Sequence, residues 1–193
     1  MMKIGYFGGT FDPIHFGHLN LALELLEQKQ LDQVLFCPTS LSPHKTTMTP
    51  LASAAHRLKM VQLAVAPVKE FAVLETEVHK TGPAYTIDTI CSLIKPNTQL
   101  YLILGEDHLA SLPQWKEVDE LLKLAPPLVG GRSGAIDNLP PHLKGVIGKG
   151  LIQIPMFDIS STVIRQRLKQ KQYCGHLIPA PVFEYIHNNQ LYT

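Results

Sequence analysis

The chain has few of the features that would commit a 193-residue protein to a membrane, an oxidising compartment or a nucleic-acid polymer. It has three cysteines, Cys37, Cys91 and Cys174, far apart and with no Cys-x-x-Cys spacing. An odd, scattered set excludes a disulfide framework and a zinc knuckle, and reads as buried, reduced thiols of a cytoplasmic protein. Charge is nearly balanced, 17 Lys and Arg against 16 Asp and Glu, without a basic block. A nucleic-acid polymer is therefore not an expected partner. No apolar run reaches membrane-spanning length, and the start, Met1 to Phe7, has no secretion-signal pattern. Several catalytic signatures are also missing. There is no Gly-x-Ser-x-Gly elbow, no Gly-Lys-Ser/Thr of a Walker A loop, no His-Glu-x-x-His zinc helix and no Gly-x-Gly-x-x-Gly dinucleotide turn. No protein-held metal site is expected.

What remains is an alternation of short apolar runs with amphipathic stretches. Strands are predicted at 3–7, 33–37, 71–74, 99–104, 127–129 and 151–154. Helices are predicted at 17–28, 51–64, 86–94, 115–124, 161–169 and 180–188. Leu19, Ala22, Leu23 and Leu26 would form the buried face of the first, and Leu51, Leu58 and Val61 that of the second. The stretch 130–150, rich in Gly and Pro, reads as an irregular loop. The fold class is α/β, a Rossmann-like parallel sheet with helices on both faces. One domain spans 1–193, with 155–193 as a C-terminal helical part.

Polar residues gather just after each predicted strand. The first is followed by Gly8-Gly9-Thr10-Phe11-Asp12-Pro13-Ile14-His15-Phe16-Gly17-His18 and the second by Pro38-Thr39-Ser40-Leu41-Ser42-Pro43-His44-Lys45. Later come Tyr85-Thr86, Gly105-Glu106-Asp107, Gly131-Arg132 and Phe157 to Thr162 leading into Arg165. In a parallel sheet these segments share one edge, where open α/β sheets bind ligands. Gly8 and Gly9 suit a tight turn and close backbone approach. His15 and His18, at i and i+3 of a helix start, oppose the macrodipole unless an anion is bound there. Arg165, near the start of the helix that Ser160-Ser161-Thr162 would cap, carries the same implication. Lys45 divides evenly between an exposed lysine and a ligand contact. Arg57 reads as a solvated helix residue, Asp107 as a helix cap, and Trp115 as either core or a stacking surface.

Gly8 to His18 resembles the signature of the nucleotidyltransferases related to class I aminoacyl-tRNA synthetases. Ile159 to Arg165 resembles their second phosphate motif. With Pro38 to Lys45, Ala84 to Thr89, Gly105 to Asp107, Trp115 and the ending 177–192, the chain is most similar to the bacterial nicotinate-nucleotide adenylyltransferases. One departure is that Ser42 stands where the family has the first of two prolines before His44-Lys45. The resemblance implies adenylyl transfer from ATP to nicotinate mononucleotide in NAD biosynthesis, with Mg2+ arriving on ATP. Its implied ATP-binding residues are Gly8, Gly9, Thr10, Phe11, His15, His18, Gly105, Asp107, Ile159, Ser161, Thr162 and Arg165. Those for the nicotinate nucleotide are Thr10, Lys45, Thr86, Trp115, Lys116 and Arg132. His15, His18, Lys45 and Arg165 would carry the chemistry. A nicotinamide mononucleotide or phosphopantetheine adenylyltransferase, a non-catalytic nucleotide-binding module and a homo-oligomeric assembly stay open at this point.

Overall fold

A computed structural model describes residues 1–40, 50–79, 82, 84–131, 136 and 139–193. Six parallel strands form one sheet: β1 Met2–Gly9, β2 Gln33–Pro38, β3 Phe71–Val73, β4 Thr98–Gly105, β5 Pro127–Gly131 and β6 Leu151–Gln153. Their order across the sheet is β3-β2-β1-β4-β5-β6. Among the described residues seven α-helices connect and follow them: α1 Phe16–Lys29, α2 Ala54–Val65, α3 Thr86–Leu93, α4 Val118–Leu124, α5 Pro141–Gly150, α6 Ser161–Lys169 and α7 Ala180–Asn188.

Both sheet faces are apolar, so neighbouring residues of a strand enter different cores. Phe7 of β1, Phe36 of β2, Ile103 of β4 and Leu128 of β5 meet α1, α2, α6 and α7 on one side. Tyr6, Cys37, Leu102, Leu104 and Val129 meet α3, α4 and α5 on the other. The chain runs outward from β1 to β3, then returns through α3 to the other flank of β1, which pairs with both β2 and β4. The crevice of a doubly wound sheet opens at that reversal, beyond the carboxyl ends of β1 and β4.

All six predicted strands form. The helices need corrections. Within 130–150, residues Pro141–Gly150 are helical, not irregular. Leu143 and Ile147, four residues apart, are buried against the sheet, and that burial outweighs the glycines. In α1 the buried face is Leu21, Ala22, Leu25 and Leu26, while Leu23 is exposed. The second helix begins at Ala54 because Ser53 Oγ caps it, accepting from His56 N–H at 3.3 Å; Leu51 is exposed. The helix placed at 115–124 starts at Val118, after a 3₁₀ turn at Leu112–Gln114 that Trp115 closes. Cys37 and Cys174 are buried, but Cys91 is exposed. No helix among the described residues is long and apolar enough to cross a membrane.

Candidate active site

The first motif leaves β1 through a left-handed residue, Phe11, at φ 48. A bulky side chain is strained there, and packing holds it. The Phe11 ring is buried edge-on to Phe7 at 5.4 Å between centroids and next to Phe36. Neither Gly8 nor Gly9 adopts a positive φ. They provide space instead. A Cβ on Gly9 would meet the Phe11 ring at 2.9 Å, and one on Gly8 would meet the Tyr6 ring at 3.0 Å.

His15 is the N-cap residue of α1, and its ring stacks on His18 at 3.7 Å between centroids. The His15 backbone N–H donates to His18 Nδ1 at 3.3 Å. This fixes the proton of a neutral His18 on Nε2. Burial holds the His15 imidazole down at about 4, only partly offset by the charge of Asp107. The expectation of a standing cation at His15 is therefore corrected. In this structure it is a neutral imidazole near pH 7, and its Nδ1 is buried without a hydrogen-bond partner among the described residues.

The second motif folds onto the first. Ser160 Oγ caps α6, accepting from Val163 N–H at 3.3 Å. Ser161 Oγ donates to the Pro13 carbonyl at 2.9 Å. Arg165 donates to the Asp12 carbonyl at 2.7 Å and to Thr162 Oγ1 at 3.2 Å. The N-termini of α1 and α6, neither with an acidic first turn, thus converge on one place. Asp107 is exposed at the end of β4, and a hydrogen bond from His108 at 3.1 Å keeps its carboxyl down at about 2.

Sequence reasoning missed the group beneath this edge. Asp12, 5% exposed, accepts from Leu51 N–H at 2.9 Å, Ala52 N–H at 3.2 Å and Tyr192 Oη–H at 2.7 Å. Arg57 is not solvated. It is 1% exposed and donates to the carbonyls of Thr10, Ser40 and Ala52, at 2.7, 3.1 and 3.2 Å. One buried guanidinium and one buried carboxylate thus fasten the loop after β1 to both described ends of the loop after β2.

Across the sheet reversal lies a pocket lined by Gly8, Gly9 and Thr10, by Tyr85 and Thr86, and by His108, Trp115 and Lys116. The start of α3 faces into it, and Tyr85, its N-cap residue, supplies no side-chain cap. Lys116 Nζ binds Asp88 of α3 at 3.0 Å and lies 4.9 Å above the Tyr85 ring centroid. That fastens the Trp115 turn over the helix start. The Trp115 backbone N–H is already given to Leu112 at 3.0 Å. Among the described residues no hydrogen bond takes the Lys116 N–H. The cavity is thus rimmed by hydrogen-bond donors next to the edge where α1 and α6 begin.

A cytidylyltransferase-like family profile matches residues 6–167. A probable nicotinate-nucleotide adenylyltransferase of Methylacidiphilum infernorum (isolate V4) is 42% identical over 192 residues, covering 98% of this chain and 92% of that protein. The nicotinate-nucleotide adenylyltransferase of Bacillus subtilis (strain 168) is 40% identical over 195 residues, covering 100% and 99%. The chain belongs to this family. Its fold is also that of a solved Plasmodium falciparum nicotinic acid mononucleotide adenylyltransferase complexed with NaAD. The two share a TM-score of 0.77 at 20% identity, over 100% of this chain and 98% of that one.

Of the residues that the sequence assigned to the adenylyltransferase site, the structure gathers two groups. His15, His18, Ser161, Thr162 and Arg165 meet at the two helix starts, with Ile159 leading into α6. Gly8, Gly9, Thr10, Thr86, Trp115 and Lys116 line the cavity. Phe11 is buried beneath the edge, and Gly105 lies against the Asp107 carboxylate, 2.6 Å from where a Cβ would sit. Lys45, Arg132 and Ser42 lie outside the described residues. Thr39, His108 and Ser111 also line the cavity and were not singled out. Only their position after strand ends could have flagged them.

Proposed function

We propose that the protein transfers AMP from ATP to nicotinate mononucleotide, giving deamido-NAD and pyrophosphate in NAD biosynthesis. The observation that carries this reading is the juxtaposition at one sheet edge. Two helix N-termini suited to phosphates adjoin a cavity rimmed by N–H donors and the sole tryptophan. A nicotinate carboxylate suits the start of α3, where orphan N–H groups and the helix dipole favour an anion, together with the Lys116 N–H. A carboxamide has less to gain there, since its NH₂ meets donors. The Trp115 indole is the stacking face for the pyridine ring.

A phosphate oxygen of the mononucleotide attacks the α-phosphorus of ATP in line. The bond to the bridging oxygen breaks, and pyrophosphate leaves without a covalent enzyme intermediate. The attacking phosphate is already ionised near neutral pH, so alignment and charge stabilisation carry the rate. His18 Nε2–H, the neutral His15 ring and the starts of α1 and α6 are the groups offered to the polyphosphate. Asp107 and the backbone around Gly105 serve the adenosine end. Lys45 and Arg132 belong to the same proposal as phosphate partners. Magnesium enters as part of the ATP substrate. Among the described residues no His, Cys, Asp and Glu cluster is suited to hold a metal, and the Asp12 oxygens are already taken.

The test is pyrophosphate release with MgATP, comparing nicotinate mononucleotide, nicotinamide mononucleotide and phosphopantetheine. Strong preference for the nicotinate substrate is expected. In that assay His18→Ala should lower kcat by about 10²-fold or more, while binding of nicotinate mononucleotide stays within about threefold. Equal or better use of another acceptor overturns the pocket assignment, and an unchanged kcat removes His18 from the mechanism.

A further inference from the structure

Glu77 is 1% exposed and has no part in the chemistry above. One carboxylate oxygen accepts from the Tyr6 hydroxyl at 2.8 Å and from Thr89 Oγ1 at 2.7 Å. The other is buried and, among the described residues, has no hydrogen-bond partner. A buried carboxylate facing neutral hydroxyls is an expensive way to fill a core, and its removal leaves those hydroxyls unpaired in turn. Cys37 lies beside it, its thiol pushed up to about 12 by burial first and by the Glu77 charge second. The group therefore faces neutral O–H and S–H donors.

Two of these donors lead to the pocket, Tyr6 directly and Thr89 through its helix. Tyr6 lines it from β1, its ring tip packed beneath Gly8. Thr89 stands three residues after Thr86 on α3, and residues at i and i+3 share a helix face. Thr86 lines the pocket as well. One carboxylate thus ties the floor of the cavity to the helix face at its wall, and both lie on the side of the pyridine nucleotide.

The geometry points to Glu77 as a positioning residue that shapes the nicotinate mononucleotide subsite through Tyr6 and Thr89, leaving the ATP side untouched. This rests on the proposed function for the identity of the occupant.

The experiment measures KM for each substrate, thermal stability, and binding of nicotinate mononucleotide from the fluorescence of Trp115, the only tryptophan. Glu77→Ala is expected to raise KM for nicotinate mononucleotide by about tenfold, with KM for ATP within about twofold. Glu77→Gln, whose carbonyl still accepts both hydroxyls, should recover most of the loss. Tyr6→Phe added to Glu77→Ala should cost little more, because both act through one contact. Tyr6→Phe and Thr89→Val each delete one hydroxyl while keeping shape, and should show the same selective rise if Glu77→Ala does not fold. A lowered melting temperature with both KM values unchanged overturns the inference, as does an equal rise for both substrates. Absence of turnover with nicotinate mononucleotide in the wild type would sink the proposed function instead, while the Trp115 titration still reads the positioning effect without turnover.

Discussion

His15 shows how a residue's burial rewrites the chemistry its type suggests. From the sequence it is half of a cationic pair at a helix start. In the fold it is 5% exposed, and burial holds its pKa at about 4. Between pH 6.5 and about 4 the unfolded chain binds a proton that the folded chain refuses, so this term lowers stability as pH falls through that window. Above 6.5 it is flat. A depression of this size corresponds to about 3 kcal/mol across the window. From pH 7 to pH 4 the unfolding free energy of the wild type should therefore fall by about that amount relative to that of a His15→Asn variant. Curves that stay parallel would mean that His15 is not held neutral. That the two histidines meet at a helix start was legible because Gly-Gly-Thr-Phe-Asp-Pro and the histidines form a local string. Their charge state was not, because it depends on what packs over them. Phe11 makes the same point. Its left-handed backbone sits beside two glycines that looked like the obvious bearers of the turn.

At the scale of elements, the strands were readable because each is a short apolar run closed by Gly, Pro or a polar residue. Helix α5 was not, because Pro140, Pro141 and three glycines masked the Leu143 and Ile147 pair. Pro141 falls in the first turn, where it costs little, and Gly145 points to open space. What joins the elements at the edge where α1 and α6 begin is Asp12. The Tyr192 hydroxyl reaches it at 2.7 Å, beyond the end of α7. Tyr192→Phe should cost about 1–2 kcal/mol in denaturant unfolding. It should lower kcat and leave KM for nicotinate mononucleotide unchanged, since the bond lies at the phosphate edge and away from the pyridine pocket. A variant as stable as the wild type would show that this bond contributes nothing.

For the whole molecule, alternation implies a parallel sheet, and in any parallel sheet the segments after the strands share one edge, so that edge was predictable. The ties that complete the edge were not. Tyr192 and Asp12 are 180 residues apart, and Glu77 and Tyr6 are 71 apart. Pairs at such distances leave no periodicity or local motif, and nothing in the helix of Arg57 marked the carbonyls of Thr10, Ser40 and Ala52 as its partners. The same global view separates metal use from folding. On the proposed reading the ion travels with the polyphosphate, so chelation by EDTA should abolish pyrophosphate release while the melting temperature of the substrate-free protein stays put. A large drop in melting temperature would reveal a resident ion. The Tyr192 contact also has a consequence for synthesis. Every strand of the sheet precedes residue 154, so synthesis supplies all six strands before it supplies Tyr192. Until then Asp12, made 180 residues earlier, waits for one of its hydrogen-bond donors. A fragment ending short of Tyr192 would keep the strands and lack one of the three hydrogen bonds that hold the Asp12 carboxylate.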